Sequence, residues 1–128
     1  MIDGVKYRFK NELAERLFKF SVDVINFLRQ IPDTAETKII KNQLIKAATS
    51  GGANYEESQA GISKREFAMK VGISLKEIRE ANYWLRLMME TKLANSRKLE
   101  ELMRESDELR LILGTIVTKL HRAVVKEE

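Results

Sequence analysis

The sequence predicts an all-α protein, an antiparallel up-down-up-down four-helix bundle, and three observations carry that prediction. Apolar residues recur at three- and four-residue intervals along nearly the whole chain, the spacing that lines one face of a helix. No sustained period-two alternation marks a strand, and no Asn-Gly or Asp-Gly turn joins two such runs. A single proline and a few capping sequences divide the chain into four stretches. Each is long enough for a helix on the order of 36–48 Å at ~1.5 Å per residue.

The first helix is expected over residues 7–30, where Phe9, Leu13, Leu17, Phe20, Val24, Ile25 and Leu28 share a face. Pro32 ends it, because proline lacks the amide donor and disfavours a helical residue before it. Asp33-Thr34-Ala35-Glu36 has capping-box spacing and opens the second helix, 34–60, with Ile39, Ile40, Leu44, Ile45, Ala47, Ala48, Gly51 and Tyr55 on its apolar face. Gly51-Gly52 in its middle costs about 1 kcal/mol per glycine against alanine, yet the periodicity continues on both sides. Gly61 is the expected stop. Ser63-Lys64-Arg65-Glu66 is a second capping box, opening a helix over 63–93 through Phe67, Val71, Leu75, Ile78, Ala81, Leu85, Met88 and Met89. Asn95 or Ser96 caps the fourth helix, 96–125, whose Leu99, Leu102, Leu109, Leu113, Ile116, Leu120 and Val124 lie at heptad-like spacing. Connections this short force consecutive helices to lie antiparallel, as one domain over 1–128.

Composition then narrows the function. The 128 residues are 44% hydrophobic, enough to bury a core. With no cysteine there is no disulfide, thiol nucleophile or zinc-thiolate site. The chain has no apolar run that spans a bilayer and no signal-peptide core at Met1–Val5, so a soluble, cytoplasmic protein is expected, with no membrane partner. A di-iron bundle would need two Glu-x-x-His pairs, and the single histidine, His121, has Thr118 and Val124 at those offsets. Met88, Met89 and Met103 at helical spacing read as core filler, not as haem ligands. No phosphate-binding G-x-x-x-x-G-K-[ST] loop occurs, and Ser50-Gly51-Gly52 sits inside a helix, about 70 positions from the only histidine. No catalytic residue, metal, cofactor or small-molecule substrate is therefore assigned, and the expectation is a protein that is not an enzyme.

Two surface features remain. Lys46, Ser50, Asn54 and Glu57 share one face of the second helix, and Glu77 and Glu80 of the third could lie beside them. This stripe reads either as a polar network or subunit contact that fixes helix register, the favoured reading, or as a small polar binding site. Small residues interleave it, from Ala47 to Ala53, which allows close approach of another helix within the chain or from a second copy. Gly72 and Gly114 read the same way, and Tyr83-Trp84-Leu85 with Leu87 and Met88 makes an apolar arc wide enough to face a partner.

The net charge is only +4, but residues 1–32, 33–62, 63–94 and 95–128 carry +2, −1, +3 and 0. The candidate nucleic-acid-binding cations are Lys64, Arg65, Lys70, Arg79 and Arg86 of the third helix, with Lys119 and Arg122 of the fourth. Lys6, Arg8 and Lys10 form a further basic group, and Lys126 extends the C-terminal one. For any single residue, a solvated face paired at i,i+4 (Glu66–Lys70, Lys76–Glu80) is the competing reading.

The stretch from Gln43 to Glu57, Gln-Leu-Ile-Lys-Ala-Ala-Thr-Ser-Gly-Gly-Ala-Asn-Tyr-Glu-Glu, resembles the signature of a bacterial four-helix-bundle family. Its members include the intervening-sequence proteins encoded within 23S ribosomal RNA genes. Ser63-Lys64, Phe67, Lys76-Glu77, Glu80 and Tyr83-Trp84-Leu85 continue the resemblance, which runs to about Leu87. Two departures are Lys46, where the family usually has arginine, and Gly51, where it has a bulky aliphatic residue. The resemblance implies a homo-oligomer, typically a pentameric ring, which for this chain would carry five times +4, a formal +20. A related protein, the accessory variability protein of diversity-generating retroelements, binds nucleic acid and partners a reverse transcriptase. The expectation is thus a homo-oligomer that binds RNA or a ribonucleoprotein partner, the alternative being a protein-interaction scaffold without nucleic acid.

Overall fold

A computed structural model of the chain describes residues 9, 11–61, 63–94 and 96–127. Four helices follow in order: α1 Glu12–Leu28, α2 Ala35–Ser58, α3 Lys64–Glu90 and α4 Arg97–Glu127. They pack in a closed circuit, α1 on α2, α2 on α3, α3 on α4 and α4 back on α1. The described residues contain no strand and form the expected antiparallel four-helix bundle.

The caps decide where each helix begins. α1 starts later than the apolar spacing predicts: Phe9 is not helical, and Asn11 sits extended at φ −161° with its Oδ1 accepting from Ala14 N at 2.9 Å. That bond satisfies a first-turn donor and fixes the start of the helix. Tyr7, the expected first residue, lies outside the described residues, as do Lys6, Arg8 and Lys10. α2 is capped by Thr34 instead of Asp33. Thr34 Oγ1 accepts from Thr37 N at 3.1 Å while Thr34 N donates to Thr37 Oγ1 at 2.7 Å, a reciprocal box. Asp33 instead accepts from Lys41 Nζ at 2.9 Å, and that hydrogen bond together with the lysine's charge holds its carboxyl below the usual range. Lys41 Nζ also donates to the Ile31 carbonyl.

Ser63 caps α3 as expected, its Oγ accepting from Glu66 N at 3.1 Å. Ser96 caps α4, accepting from Leu99 N at 3.2 Å. Gly61 follows α2 at φ 76°, where a side chain would be strained. α3 stops at Glu90, short of Leu93, and Lys92 takes the left-handed position there at φ 57° although it is not glycine. α4 runs past residue 125 to Glu127.

One apolar core fills the circuit, with Leu17, Val24, Leu44, Ile78, Leu85 and Leu109 each at 0% exposure. Of the small residues of α2, Ala47, Ala48, Gly51 and Gly52 serve packing inside the chain, whereas Ala53 is exposed. A Cβ at Gly51 would stand 2.6 Å from Ile78 Cδ1 and 2.9 Å from its Cγ1, and Gly52 lies against the Leu17 backbone. Hydroxyls stitch the same seams: the buried Ser74 Oγ donates to Gly51 O at 2.7 Å, and the half-buried Ser21 Oγ to Ala48 O at 3.0 Å. Gly72 and Gly114 are different: of the two expected roles, packing inside the chain does not hold for them. A Cβ at either would meet nothing within 4 Å, so no tight packing in the described bundle requires them.

α1 has 17 residues and α4 has 31, so α1 covers only part of α4. Leu109 and Leu113 are fully buried, whereas Ile116, Val117 and Leu120 further along the same helix are only half-buried.

Candidate nucleic-acid interface

The charges of α4 separate by side. Towards α1 lie three of its acids, Glu101, Glu105 and Glu108. Arg16 of α1 grips Glu105 side-on through one guanidinium edge, Nη2 to Oε1 at 2.6 Å and Nε to Oε2 at 3.1 Å, and reaches Glu108 at 3.3 Å. The Glu105 hydrogen bond raises the Arg16 pKa above its ordinary value; desolvation opposes the rise, and the charges of Glu105 and Glu108 add to it. Nearby, Lys98 lies 3.7 Å from Asp23 and 3.9 Å from Glu101. The acids on this seam are thus largely neutralised within the bundle.

The cations gather on the other side of α4, along the groove it forms with α3. Arg79, Arg86, Arg110, Lys119 and Arg122 line two adjoining hollows there, with Asp107 the carboxylate among the lining residues. Residues 110–122 of α4 alone extend this lining by about 18 Å at ~1.5 Å per residue. Gly114, Thr115 and Thr118 line the second hollow with small side chains, beside the exposed Leu111.

A hydrogen-bonded chain across α3 and α4 fixes the upper end. The Asn82 side chain is buried, with Nδ2 donating to Ser106 Oγ at 2.8 Å and to Asp107 Oδ1 at 3.3 Å. Its Oδ1 accepts from Arg86 Nε at 2.9 Å, and Asp107 Oδ1 accepts from Arg110 Nε at 3.0 Å. A guanidinium has only donors, so the amide must turn its oxygen to Arg86 and its nitrogen to α4. Arg86 also lies 5.8 Å from the ring centroid of Tyr83, which is 49% exposed. Of the apolar arc predicted on this helix, Leu85 and Met88 are buried, Trp84 and Leu87 half-buried, and only Tyr83 is open to a partner.

Four of the seven candidate cations, Arg79, Arg86, Lys119 and Arg122, therefore share this groove. Lys64 and Arg65 are exposed in the first turn of α3. Lys70 turns to the other side of α3 and lies 3.7 Å from Glu57 of α2. Arg110 was not among the predicted residues. It belongs to the segment of zero net charge, and only the register of α3 against α4 reveals it.

The polar stripe does not form one network. Asn54 Nδ2 donates to Ser50 O at 2.9 Å and to Ser50 Oγ at 3.1 Å, and Glu57 pairs with Lys70. Lys46 is exposed, Glu77 is half-buried, and Glu80 accepts weakly from Trp84 Nε1 at 3.4 Å. His121 is exposed. Among the described residues no group of three or more His, Asp or Glu side chains is placed to hold a metal, and no helix is long and apolar enough to cross a membrane.

Fold and surface together define a small helical bundle whose concentration of chemistry is a one-sided basic groove, not an enclosed pocket. The family model of the 23S rRNA-intervening sequence protein matches residues 10–115, and the chain belongs to that family. Among solved structures it is similar to a protein of unknown function from the S23 ribosomal protein family of Bacteroides thetaiotaomicron. That similarity has a TM-score of 0.73 and 26% identity and covers 82% of this chain and 97% of that one. No curated protein matches the chain.

Proposed function

We propose that this protein is a non-enzymatic, cytoplasmic homo-oligomer that binds RNA, or a ribonucleoprotein, along the α3/α4 groove. The observation that carries the reading is the gathering of Arg79, Arg86, Arg110, Lys119 and Arg122 around one carboxylate. Arginine forks suit phosphate oxygens, and a row of cations along a groove tracks a phosphate backbone. Self-association is supported by the half-buried Ile116, Val117 and Leu120, which extend the core stripe of α4 past the end of α1. A second copy would cover them, and the family resemblance makes a five-membered ring the form to test.

The test is a salt titration of binding to structured RNA. Binding falls steeply as salt rises, and Arg122→Gln lowers the slope of log K against log salt by about one. No binding near ~50 mM salt removes the RNA reading and leaves a protein-interaction scaffold. Analytical ultracentrifugation that shows a monomer at high protein concentration removes the ring.

A further inference from the structure

Resting on that reading, we infer that the hollow between Arg79, Arg86 and Arg110 is a site for the terminal phosphomonoester of an RNA, with Tyr83 beside it as a platform for the end base. The hollow has a volume of about 410 Å³ and is lined by these three arginines with Asn82 and Asp107. Three guanidinium charges and one carboxylate leave a formal +2. A phosphomonoester carries about −1.5 to −2 near neutral pH and three acceptor oxygens, whereas an internal phosphodiester carries a single charge. The charge of the hollow thus matches an end better than a link within the chain.

The geometry supports the same ligand. Arg86 and Arg110 each commit Nε to a protein acceptor, Asn82 Oδ1 at 2.9 Å and Asp107 Oδ1 at 3.0 Å. Each guanidinium has five N–H donors, so four remain on the Nη atoms of each for a ligand. Tethering at Nε also restricts two side chains that would otherwise lose rotamer freedom on binding. Because Asn82 and Asp107 are themselves hydrogen-bonded, the two arginines are held by one continuous chain across the α3/α4 seam. Tyr83, beside Arg86 and half-exposed, offers an aromatic surface on which an unpaired base can stack.

Short single-stranded RNAs of one sequence, labelled internally, separate the possibilities: one with a 5′-phosphate, one with a 3′-phosphate and one with hydroxyls at both ends. Fluorescence anisotropy at constant ionic strength gives their affinities for the wild-type protein and for Arg79→Gln, Arg110→Gln and Arg122→Gln. The expected result is that one phosphate-ended RNA binds at least about tenfold more tightly than the hydroxyl-ended one, the gain from a few charge-assisted hydrogen bonds. That preference disappears in Arg79→Gln and Arg110→Gln. It survives in Arg122→Gln, which weakens all three RNAs by a common factor. Equal affinity for the three RNAs in the wild type overturns the end-site inference and leaves groove binding standing. Failure of all three, and of structured RNA, to bind near ~50 mM salt overturns both. Arg79 is exposed, so its substitution leaves the fold intact, and circular dichroism checks that for each variant.

Discussion

Replacing Gly51 by alanine sets two effects of known sign against each other. The new Cβ would stand 2.6 Å from Ile78 Cδ1 and 2.9 Å from Ile78 Cγ1. Ile78 is at 0% exposure and cannot swing into solvent, so the core must strain to admit the methyl. Overpacking of this kind costs about 1–3 kcal/mol, against about 1 kcal/mol gained from removing a glycine inside a helix. Gly51→Ala is therefore expected to lose about 1 kcal/mol. Gly72→Ala and Gly114→Ala, where a Cβ meets nothing, gain about 1 kcal/mol each. Gly52→Ala, whose nearest neighbour is Leu17 O at 3.6 Å, also gains. At about 3–5 °C per kcal/mol for a chain of this size, Gly51→Ala and Gly72→Ala should differ by about 6–10 °C in Tm. Urea titration followed by far-ultraviolet circular dichroism measures the same gap. Adding Ile78→Val removes the clashing Cδ1, so the double variant should lose less than the sum of its parts. If Gly51→Ala is as stable as Gly72→Ala, the close packing of α2 on α3 described above is wrong.

Three further outcomes follow from other elements. Lys92→Gly should stabilise the chain by about 0.5–1 kcal/mol, because a left-handed residue after α3 no longer carries a Cβ; no gain in urea midpoint refutes it. Asn82→Ala should destabilise by about 1–3 kcal/mol, and Asn82→Ala with Ser106→Ala by less than the two single losses combined, as a double-mutant cycle would reveal. Asp33 has a lowered pKa when folded, so its pairing with Lys41 contributes fully above the ordinary carboxylate value of about 3.9 and fades as pH falls through the lower folded value. Asp33→Asn should therefore flatten the acid limb of the stability profile; an unchanged limb would refute the pairing.

The bundle was legible because apolar spacing reports which face of a helix is buried, and that holds for all four helices. The spacing cannot see caps. Phe9 and Leu13 fit one period across Asn11, although Asn11, whose amide accepts from Ala14, marks the true start of α1. Asp33 and Thr34 are both good capping residues, and the choice between them turned on Thr37, whose hydroxyl completes the box. The cations of the α3/α4 groove were legible as a set of residues and not as a surface. Charge counted along the chain gives residues 95–128 nothing, since their acids cancel their bases. The register of α3 against α4, in which Asn82 pairs with Ser106 and Asp107, brings Arg110 beside Arg79 and Arg86. Arg110 alone reads as half of an ordinary i,i+3 pair with Asp107. Gly72 and Gly114 could not be told from Gly51 in the sequence, because a helical glycine reads the same whether or not a neighbour within the chain approaches it.

The division of charge across α4 gives the molecule an orientation in an electric field. With its acids paired with Arg16 and Lys98 on one side and the arginines of the α3/α4 groove on the other, the molecule is a dipole as well as a cation. A polyanion approaching from any direction exerts a torque that swings the α3/α4 side towards it before contact. Such steering shows itself in the association rate constant, which falls as salt rises, while the dissociation rate reports the contacts made afterwards. Stopped-flow mixing would therefore distinguish a charge that guides from a charge that holds, a separation that an equilibrium constant conceals.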